Sequence, residues 1–82
     1  MVEVVYTDKF EKELKKSDSS IKEKAVKQIK KIIENPETGK PLRYNLKGER
    51  TIYVWPFRIL YAYSKNTIYF LRFEHRKDVY KR

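Results

Sequence analysis

The spacing of apolar residues changes near residue 36, and this change limits the chain to folds that combine helices with an antiparallel sheet. Residues 20–34 carry apolar side chains at every third or fourth position, the spacing of one face of an α-helix. The second half instead contains four short runs dense in Ile, Val, Tyr, Phe and Trp, which are typical of strands. These runs are residues 42–46, 51–55, 57–63 and 67–73. Short breaks separate them, so the sequence predicts a β-meander.

The first half adds one strand and two helices. Residues 2–6, VEVVY, are branched and aromatic, which favours a strand. Capping-box spacing then occurs twice, and it predicts a short helix over residues 9–16 and a longer one from residue 20 to the proline at 36. The two capping pairs are Asp8 with Glu11 and Ser20 with Glu23.

The helices would cover one face of the meander. The longer helix offers an apolar stripe made of Ile21, Ala25, Ile29, Ile32 and Ile33. We therefore predict one domain over residues 1–82 with an α+β, two-layer fold: an N-terminal strand, a helical hairpin and then an antiparallel β-meander. The second face of the sheet would stay partly open.

The last two runs form a predicted hairpin. If Lys65 and Asn66 make a two-residue loop, the opposed pairs are Ser64 with Thr67, Tyr61 with Phe70 and Arg58 with Phe73. Directly opposed residues point to the same side of a sheet. This register predicts that Arg58, Leu60, Leu71, Phe73 and His75 share one face, and that Ile59, Tyr61, Phe70 and Arg72 share the other.

Composition excludes several kinds of site. The chain has no cysteine, and its single His75 cannot supply the several nitrogen ligands of a structural zinc. The acids of the second half are few and flanked by cations, so we expect no metal and no cofactor. No apolar run approaches the roughly 18 residues of a membrane span, and the start of the chain lacks the order of a signal peptide. We expect a cytoplasmic protein that does not bind membranes.

The positive charge is concentrated in the second half. The net charge is +9, which favours polyanionic partners. Residues 1–42 hold ten lysines, no arginine and eight acids, a net charge of +2, whereas residues 43–82 hold four lysines, six arginines and three acids, a net charge of +7. Because arginine suits bidentate phosphate contacts, the second half is the expected binding region.

A basic and aromatic group in that half supplies the candidate site residues. Arg58 and Arg72 each lie between two apolar residues of a predicted strand, where the plain interpretation is the solvent side of an amphipathic strand. As a set, the group is better explained by nucleic-acid binding. Its members are Arg43, Lys47, Arg50, Arg58, Arg72, His75, Arg76 and Tyr80.

The end of the chain resembles a known family. The strand FRILYAY, a short turn, a further strand and the tail LRFEHRKDVY resemble the ending of the RelE/ParE toxin superfamily, and the order of the other elements agrees. The resemblance implies a toxin of a type II toxin–antitoxin pair. RelE-type members bind the ribosomal 30S A site and cut the messenger there, without a metal, by attack of the ribose 2′-hydroxyl.

The resemblance also implies roles for particular residues. Arg58 matches the family's strand arginine and would hold the scissile phosphate, and Arg76 matches the tail arginine that stabilises charge near the leaving group. Tyr80 matches the tail tyrosine, which stacks on a base or assists the nucleophile. His75 could act as acid or base near neutral pH. Lys47, Arg50, Arg43 and Arg72 are the expected RNA-binding residues.

The sequence departs from the RelE pattern at one point. A pair of strand lysines in bacterial RelE is replaced here by Glu49 and Thr51. The proton acceptor could then be His75, Tyr80 or Lys47, and the sequence does not choose among them.

The implied partners are a RelB-like helical antitoxin in a hetero-oligomer, and mRNA and rRNA at the ribosome.

Two other functions fit the sequence. ParE-type relatives share the fold, lack the nuclease residues and act on DNA gyrase. A non-catalytic RNA-binding or ribosome-associated domain would use the same arginines and tyrosines for backbone contact and stacking.

Overall fold

Eight secondary-structure elements follow one another in the part of the chain that the structure describes. The computed structural model describes the backbone of residues 2–42 and 48–79. The first half contains strand β1 (Glu3–Tyr6), helix α1 (Asp8–Lys15), helix α2 (Ser19–Glu34) and the short strand β2 (Lys40–Pro41). The second half contains β3 (Glu49–Val54), β4 (Phe57–Ser64), β5 (Thr67–His75) and the short helix α3 (Arg76–Val79).

The five strands within residues 2–42 and 48–79 form one sheet in the order β1-β5-β4-β3-β2. β1 pairs with β5 in parallel, and the other neighbours are antiparallel. The predicted α+β fold is thus confirmed, with the N-terminal strand placed at the edge beside the last strand. The strand predicted over residues 42–46 lies mostly outside the described residues, and the described strand in this region is β2.

The helices begin earlier than the capping-box pairs predicted. Thr7 caps α1: its Oγ1 accepts a hydrogen bond from the Phe10 N–H at 3.2 Å and donates one to the Phe70 carbonyl at 2.8 Å. Asp18 caps α2 by accepting a bond from the Ile21 N–H at 3.0 Å. The predicted caps Asp8 and Ser20 are therefore wrong. Thr7 is favoured over Asp8 because one hydroxyl both caps the helix and binds it to the sheet.

The core lies between the two helices and one face of the sheet. Phe10 from α1 and three residues of the predicted stripe, Ala25, Ile29 and Ile32, are buried. They pack on side chains of the central strands, which are Val54, Ile59, Tyr61, Ile68, Phe70 and Phe73. Ile21 and Ile33 lie at the margin of this core, so the predicted stripe is confirmed. No helix within residues 2–42 and 48–79 is long and apolar enough to span a bilayer.

The β4–β5 hairpin keeps the predicted register only near its turn. Lys65 and Asn66 both have positive φ, 51° and 64°, as a two-residue hairpin loop requires. Ser64 lies opposite Thr67 and Tyr61 opposite Phe70, as predicted. The next pair is Leu60 with Arg72, so the ladder skips one residue of β5 and forms a β-bulge.

The bulge changes which side chains share a face. Beyond it Arg58 lies opposite Glu74, not Phe73, and His75 lies opposite Phe57. The predicted grouping of Arg58 with Phe73 and His75 is therefore wrong, and so is that of Arg72 with Tyr61. Phe73 points into the core. The other side, which we call the outer face, carries Tyr53, Arg58, Leu60, Arg72 and Glu74.

Candidate nucleic-acid interface

Arg58 is held on the outer face by a buried carboxylate. Its Nε donates a hydrogen bond to Glu74 Oε2 at 3.3 Å. The Glu74 side chain is 0% exposed, whereas that of Arg58 is 17% exposed. Among the described residues, the hydrogen bond that Arg58 makes uses Nε. Its two terminal Nη groups are therefore the ones suited to bind an added phosphate side by side.

Arg72 joins the same carboxylate to helix α1. Its Nη1 lies 3.2 Å from Glu74 Oε1, and its Nε and Nη2 donate to Glu13 at 3.0 and 2.7 Å. Glu13 Oε1 also accepts a bond from the Phe73 N–H at 3.0 Å. Two arginines and two glutamates thus form a charge-balanced cluster that ties α1 to β5. Arg72, predicted to bind RNA, uses these donors within the protein.

The pKa of Glu13 reflects this cluster. Partial burial raises that pKa, but the hydrogen bonds from Arg72 and the Phe73 N–H outweigh burial and hold the pKa below its ordinary value of 4.5. The ionised Glu13 carboxylate is the form that accepts these hydrogen bonds from β5. The contact between α1 and β5 therefore depends on a charged carboxylate.

Arg76 lies against a tryptophan at the end of the outer face. Its guanidinium carbon is 4.8 Å from the centroid of the Trp55 ring, within cation–π distance. The Arg76 N–H donates to the Pro56 carbonyl at 2.9 Å, which fixes the start of α3 to the β3–β4 turn. Trp55 is 61% exposed and Tyr53, two residues earlier, is 60% exposed. Both are among the large side chains that the fold leaves in solvent.

His75 lies on the opposite side of the sheet from Arg58. It is opposite Phe57 in the ladder, and its ring meets the Phe57 ring edge-on at 5.1 Å. Its Nδ1 accepts a hydrogen bond from the Lys77 N–H at 3.1 Å. That bond places the proton of the neutral imidazole on Nε2. The structure therefore does not bring His75 and Arg58 together in one hollow, as the predicted register implied.

Arg50 stabilises the loop before β2. Its Nη1 donates to the carbonyls of Glu37 and Gly39 at 3.1 and 2.8 Å. The buried Tyr61 hydroxyl supports the same loop, donating to the Pro36 carbonyl at 2.8 Å and accepting from the Gly39 N–H at 2.9 Å. Burial raises the pKa of this hydroxyl above its ordinary value of 10.0, against the lowering effect of the Gly39 hydrogen bond. Arg50 thus has a structural role whether or not it also meets RNA.

Three predicted residues, Arg43, Lys47 and Tyr80, lie outside the described residues. The described part of the chain contains no group of three or more His, Asp or Glu residues that could hold a metal ion.

An open groove of about 890 Å³ runs between β1 and the two helices. Its apolar lining consists of Tyr6, Phe10, Leu14, Val26, Ile29 and Ile33. Four lysines from the two helices also line the groove: Lys12, Lys15, Lys22 and Lys30. The acids of the groove are Asp8 and Glu11. The groove is thus apolar at its base and predominantly basic at its rim, and it lies apart from Arg58.

The sequence model of one protein family matches residues 4–80, and that family is described as the ParE toxin of type II toxin–antitoxin system, parDE. The chain belongs to this family. Membership confirms the RelE/ParE resemblance and makes the chain a toxin of a type II toxin–antitoxin system. A search of curated proteins found no match.

Solved structures of RelE-type toxins share the fold. The RelBE2 toxin–antitoxin complex from Mycobacterium tuberculosis contains a chain 28% identical to this one, with 92% of this chain and 98% of that chain covered and a TM-score of 0.76. The isolated RelE toxin of E. coli is 20% identical, with coverages of 99% and 93% and a TM-score of 0.79. The RelB–RelE complex from Methanococcus jannaschii contains a chain that is 23% identical, with 94% of this chain and 95% of that chain covered and a TM-score of 0.78.

Three residues of the candidate interface were not predicted from the sequence. Glu74 is one of the acids of the second half from which no metal site was expected, and Glu13 and Trp55 were not singled out. Glu74 had one signal in the sequence: an acid directly after an apolar strand residue, two residues from Arg72 and two from Arg76. Trp55 before a proline marked a turn that would expose its ring. Glu13 had no such signal, because its partner is 59 residues away.

Proposed function

We propose that this toxin is a ribosome-dependent mRNA endonuclease that cuts the messenger in the A site without a metal, by attack of the ribose 2′-hydroxyl, and so inhibits translation. The placement of Arg58 is the observation that supports the proposal. It lies on the outer face with Nε bound to buried Glu74, opposite the exposed Tyr53. An oriented guanidinium beside an exposed aromatic ring suits the backbone and base of single-stranded RNA.

Such a cleavage needs three proton and charge functions. The 2′-hydroxyl must lose a proton, the pentavalent phosphate gathers negative charge, and the departing 5′ oxygen must gain a proton. The Nη groups of Arg58 supply the second function, because they donate two parallel hydrogen bonds to phosphate oxygens. Glu74 keeps the guanidinium in place before the substrate arrives, so little reorganisation is needed.

The remaining roles follow from position. Arg76, exposed at the start of α3, is the second cation for charge near the leaving group. We assign His75 no proton transfer at the phosphate. It lies on the other face of the sheet, and its Nδ1 already accepts a hydrogen bond from the Lys77 N–H. The proton acceptor is then one of the other two residues predicted for it, Lys47 or Tyr80.

A gyrase-directed activity is the second candidate, and the ParE description of the matching family favours it. Two assays separate the candidates. Purified toxin is added to ribosomes translating a defined message, and RNA ends are mapped by primer extension. In parallel, gyrase supercoiling is measured at the same toxin concentration. We expect cuts at A-site codons and unchanged supercoiling.

The matched variants for that experiment are Arg58→Lys and Arg58→Ala. Lysine keeps the charge but cannot bind a phosphate through two parallel N–H groups, so cleavage should fall by about 10- to 100-fold with lysine and further with alanine. Inhibited supercoiling together with an uncut message would replace the proposal with the gyrase function.

We also propose an antitoxin partner that seats an amphipathic helix in the groove between α1 and α2. Two of the three solved structures described above are toxin–antitoxin complexes. The apolar base and the lysine rim of the groove fit a helix with one apolar stripe and flanking acids. Such a helix would lie away from the outer face and would not cover Arg58. The antitoxin would then inhibit the toxin by sterically blocking its entry into the ribosome, or through further antitoxin segments.

Val26 provides the test of that site. It is 44% exposed and lines the groove, so Val26→Glu should preserve folding while placing a charge against the apolar stripe of the partner. We expect co-purification with the antitoxin to be lost while RNA cleavage persists. Lys27→Glu places the same carboxylate, with a charge change of two units instead of one, on an exposed neighbour that does not line the groove, and it should still bind. Retention of the antitoxin by Val26→Glu would reject the groove as its seat.

A further inference from the structure

Two aromatic rings at the Arg58 end of the outer face are left in solvent. Tyr53 and Trp55 are 60% and 61% exposed. Tyr53 lies directly opposite Arg58 in the β3–β4 ladder, and Trp55 follows in the turn, about 7 Å further along the backbone at strand spacing. Large aromatic side chains that gain nothing from the core are expected to meet something outside it.

Trp55 is also held in place. The Arg76 guanidinium covers part of its ring at 4.8 Å, and the Arg76 backbone is bound to the Pro56 carbonyl, next to Trp55 in the chain. A ring braced by a cation loses little freedom when a ligand stacks on it, which favours binding. The guanidinium adds positive charge beside the ring.

We infer that Trp55, braced by Arg76, and Tyr53 form a stacking site for unpaired nucleobases that flank the phosphate bound by Arg58. The inference deepens the proposed function and rests on it for the identity of the ligand, single-stranded RNA. Every base has a π-face, so aromatic stacking accepts many sequences. The net charge of +7 in residues 43–82 favours a polyanion over a peptide as the ligand of these rings.

The stacking site can be tested without cleavage. Trp55 is the only tryptophan of the chain, so fluorescence excited at wavelengths that tryptophan absorbs and tyrosine does not reports on this ring alone. The wild-type protein is titrated with a short single-stranded RNA, and with an abasic ribose-phosphate oligomer of equal length as the charge-matched control. We expect saturable quenching by the RNA and little quenching by the abasic oligomer. Equal quenching by both, or none by the RNA, would overturn the inference.

Variants extend the test through the anisotropy of a labelled RNA. Trp55→Ala should weaken binding by about 5- to 100-fold, the range that stacking on one aromatic ring supplies, and Trp55→Phe should retain part of the affinity. Tyr69→Ala removes another exposed aromatic of the sheet, at 40% exposure and opposite Ala62, and should bind as the wild type does. Circular dichroism melts check that each variant is folded.

Failure of the inference can be told from failure of the proposed function. Ribosomal cleavage that depends on Arg58, together with RNA binding unchanged in Trp55→Ala, would reject the stacking site and leave the nuclease. Specific quenching by RNA without any ribosomal cleavage would keep the stacking site and reject the nuclease. Stronger quenching by an acidic peptide than by RNA would reject RNA as the ligand.

Discussion

Glu74→Gln should destabilise the fold more than any other neutralised acid of the described chain. The substitution keeps the size of the side chain but removes the charge that two arginines share. Arg58 Nε lies 3.3 Å from Glu74 Oε2, and Arg72 Nη1 lies 3.2 Å from Oε1. Because the Glu74 side chain is 0% exposed, water cannot replace the lost interactions at its position.

The size of the effect follows from burial. Removing one partner of a buried ion pair costs about 3–5 kcal/mol. Two features reduce that cost here: the arginines are 17% and 27% exposed, and Arg72 keeps its pair with Glu13. We therefore expect a loss of about 2–3 kcal/mol, against a total stability of about 4–12 kcal/mol for a domain of this length.

Urea unfolding followed by circular dichroism measures this loss. With a slope of about 1 kcal/mol per molar urea, the midpoint should fall by about 2–3 M. Glu34→Gln is the matched control, the same chemical change at an exposed position, and it should alter stability by less than about 0.5 kcal/mol. A Glu74→Gln midpoint within experimental error of the control would show that this carboxylate does not stabilise the fold through the two arginines.

Two further predictions concern other contacts of the fold. The wild type should be more stable than Glu13→Gln at pH 7, because folding favours the ionised Glu13 carboxylate and lowers its pKa. This difference in the free energy of unfolding should be lost as the pH falls below about 4.5 and through the lowered pKa of the folded state. Urea unfolding of both proteins at about pH 7, 4.5 and 3 measures the difference. Gly39→Ala should cost about 1–3 kcal/mol, since an added Cβ would lie 2.5 Å from the Tyr61 hydroxyl and 2.9 Å from the Thr51 carbonyl; an unchanged thermal midpoint would contradict it.

The fold could be predicted from the sequence because its signals are local. The helical stripe, the strand-like runs beyond residue 50 and the two-residue turn at Lys65 and Asn66 each depend on neighbouring residues, and each was confirmed. The helix starts were missed because the capping choice is tertiary: Thr7 is preferred for its second hydrogen bond, to the Phe70 carbonyl 63 residues away.

The site was harder to predict because one inserted residue changes every face beyond it. The bulge between the Tyr61–Phe70 and Leu60–Arg72 pairs moved Arg58 away from His75 and placed it opposite Glu74. Sequence alternation alone carries no sign of such a bulge, since it conflicts with no local preference. The arginines could therefore be predicted as candidates, while their partners could not.

In the proposed reaction, RNA is cut by its own 2′-hydroxyl at a phosphate held by Arg58. The most direct test uses ribosomes programmed with two messages that differ only by a 2′-deoxy sugar at the A-site cleavage position, and follows cleavage in a single turnover. We predict cutting of the all-ribose message to a 2′,3′-cyclic phosphate end, no cutting of the deoxy message, and loss of cutting with Arg58→Ala. Equal cutting of both messages would reject attack by the 2′-hydroxyl, and full activity of Arg58→Ala would reject the role of Arg58.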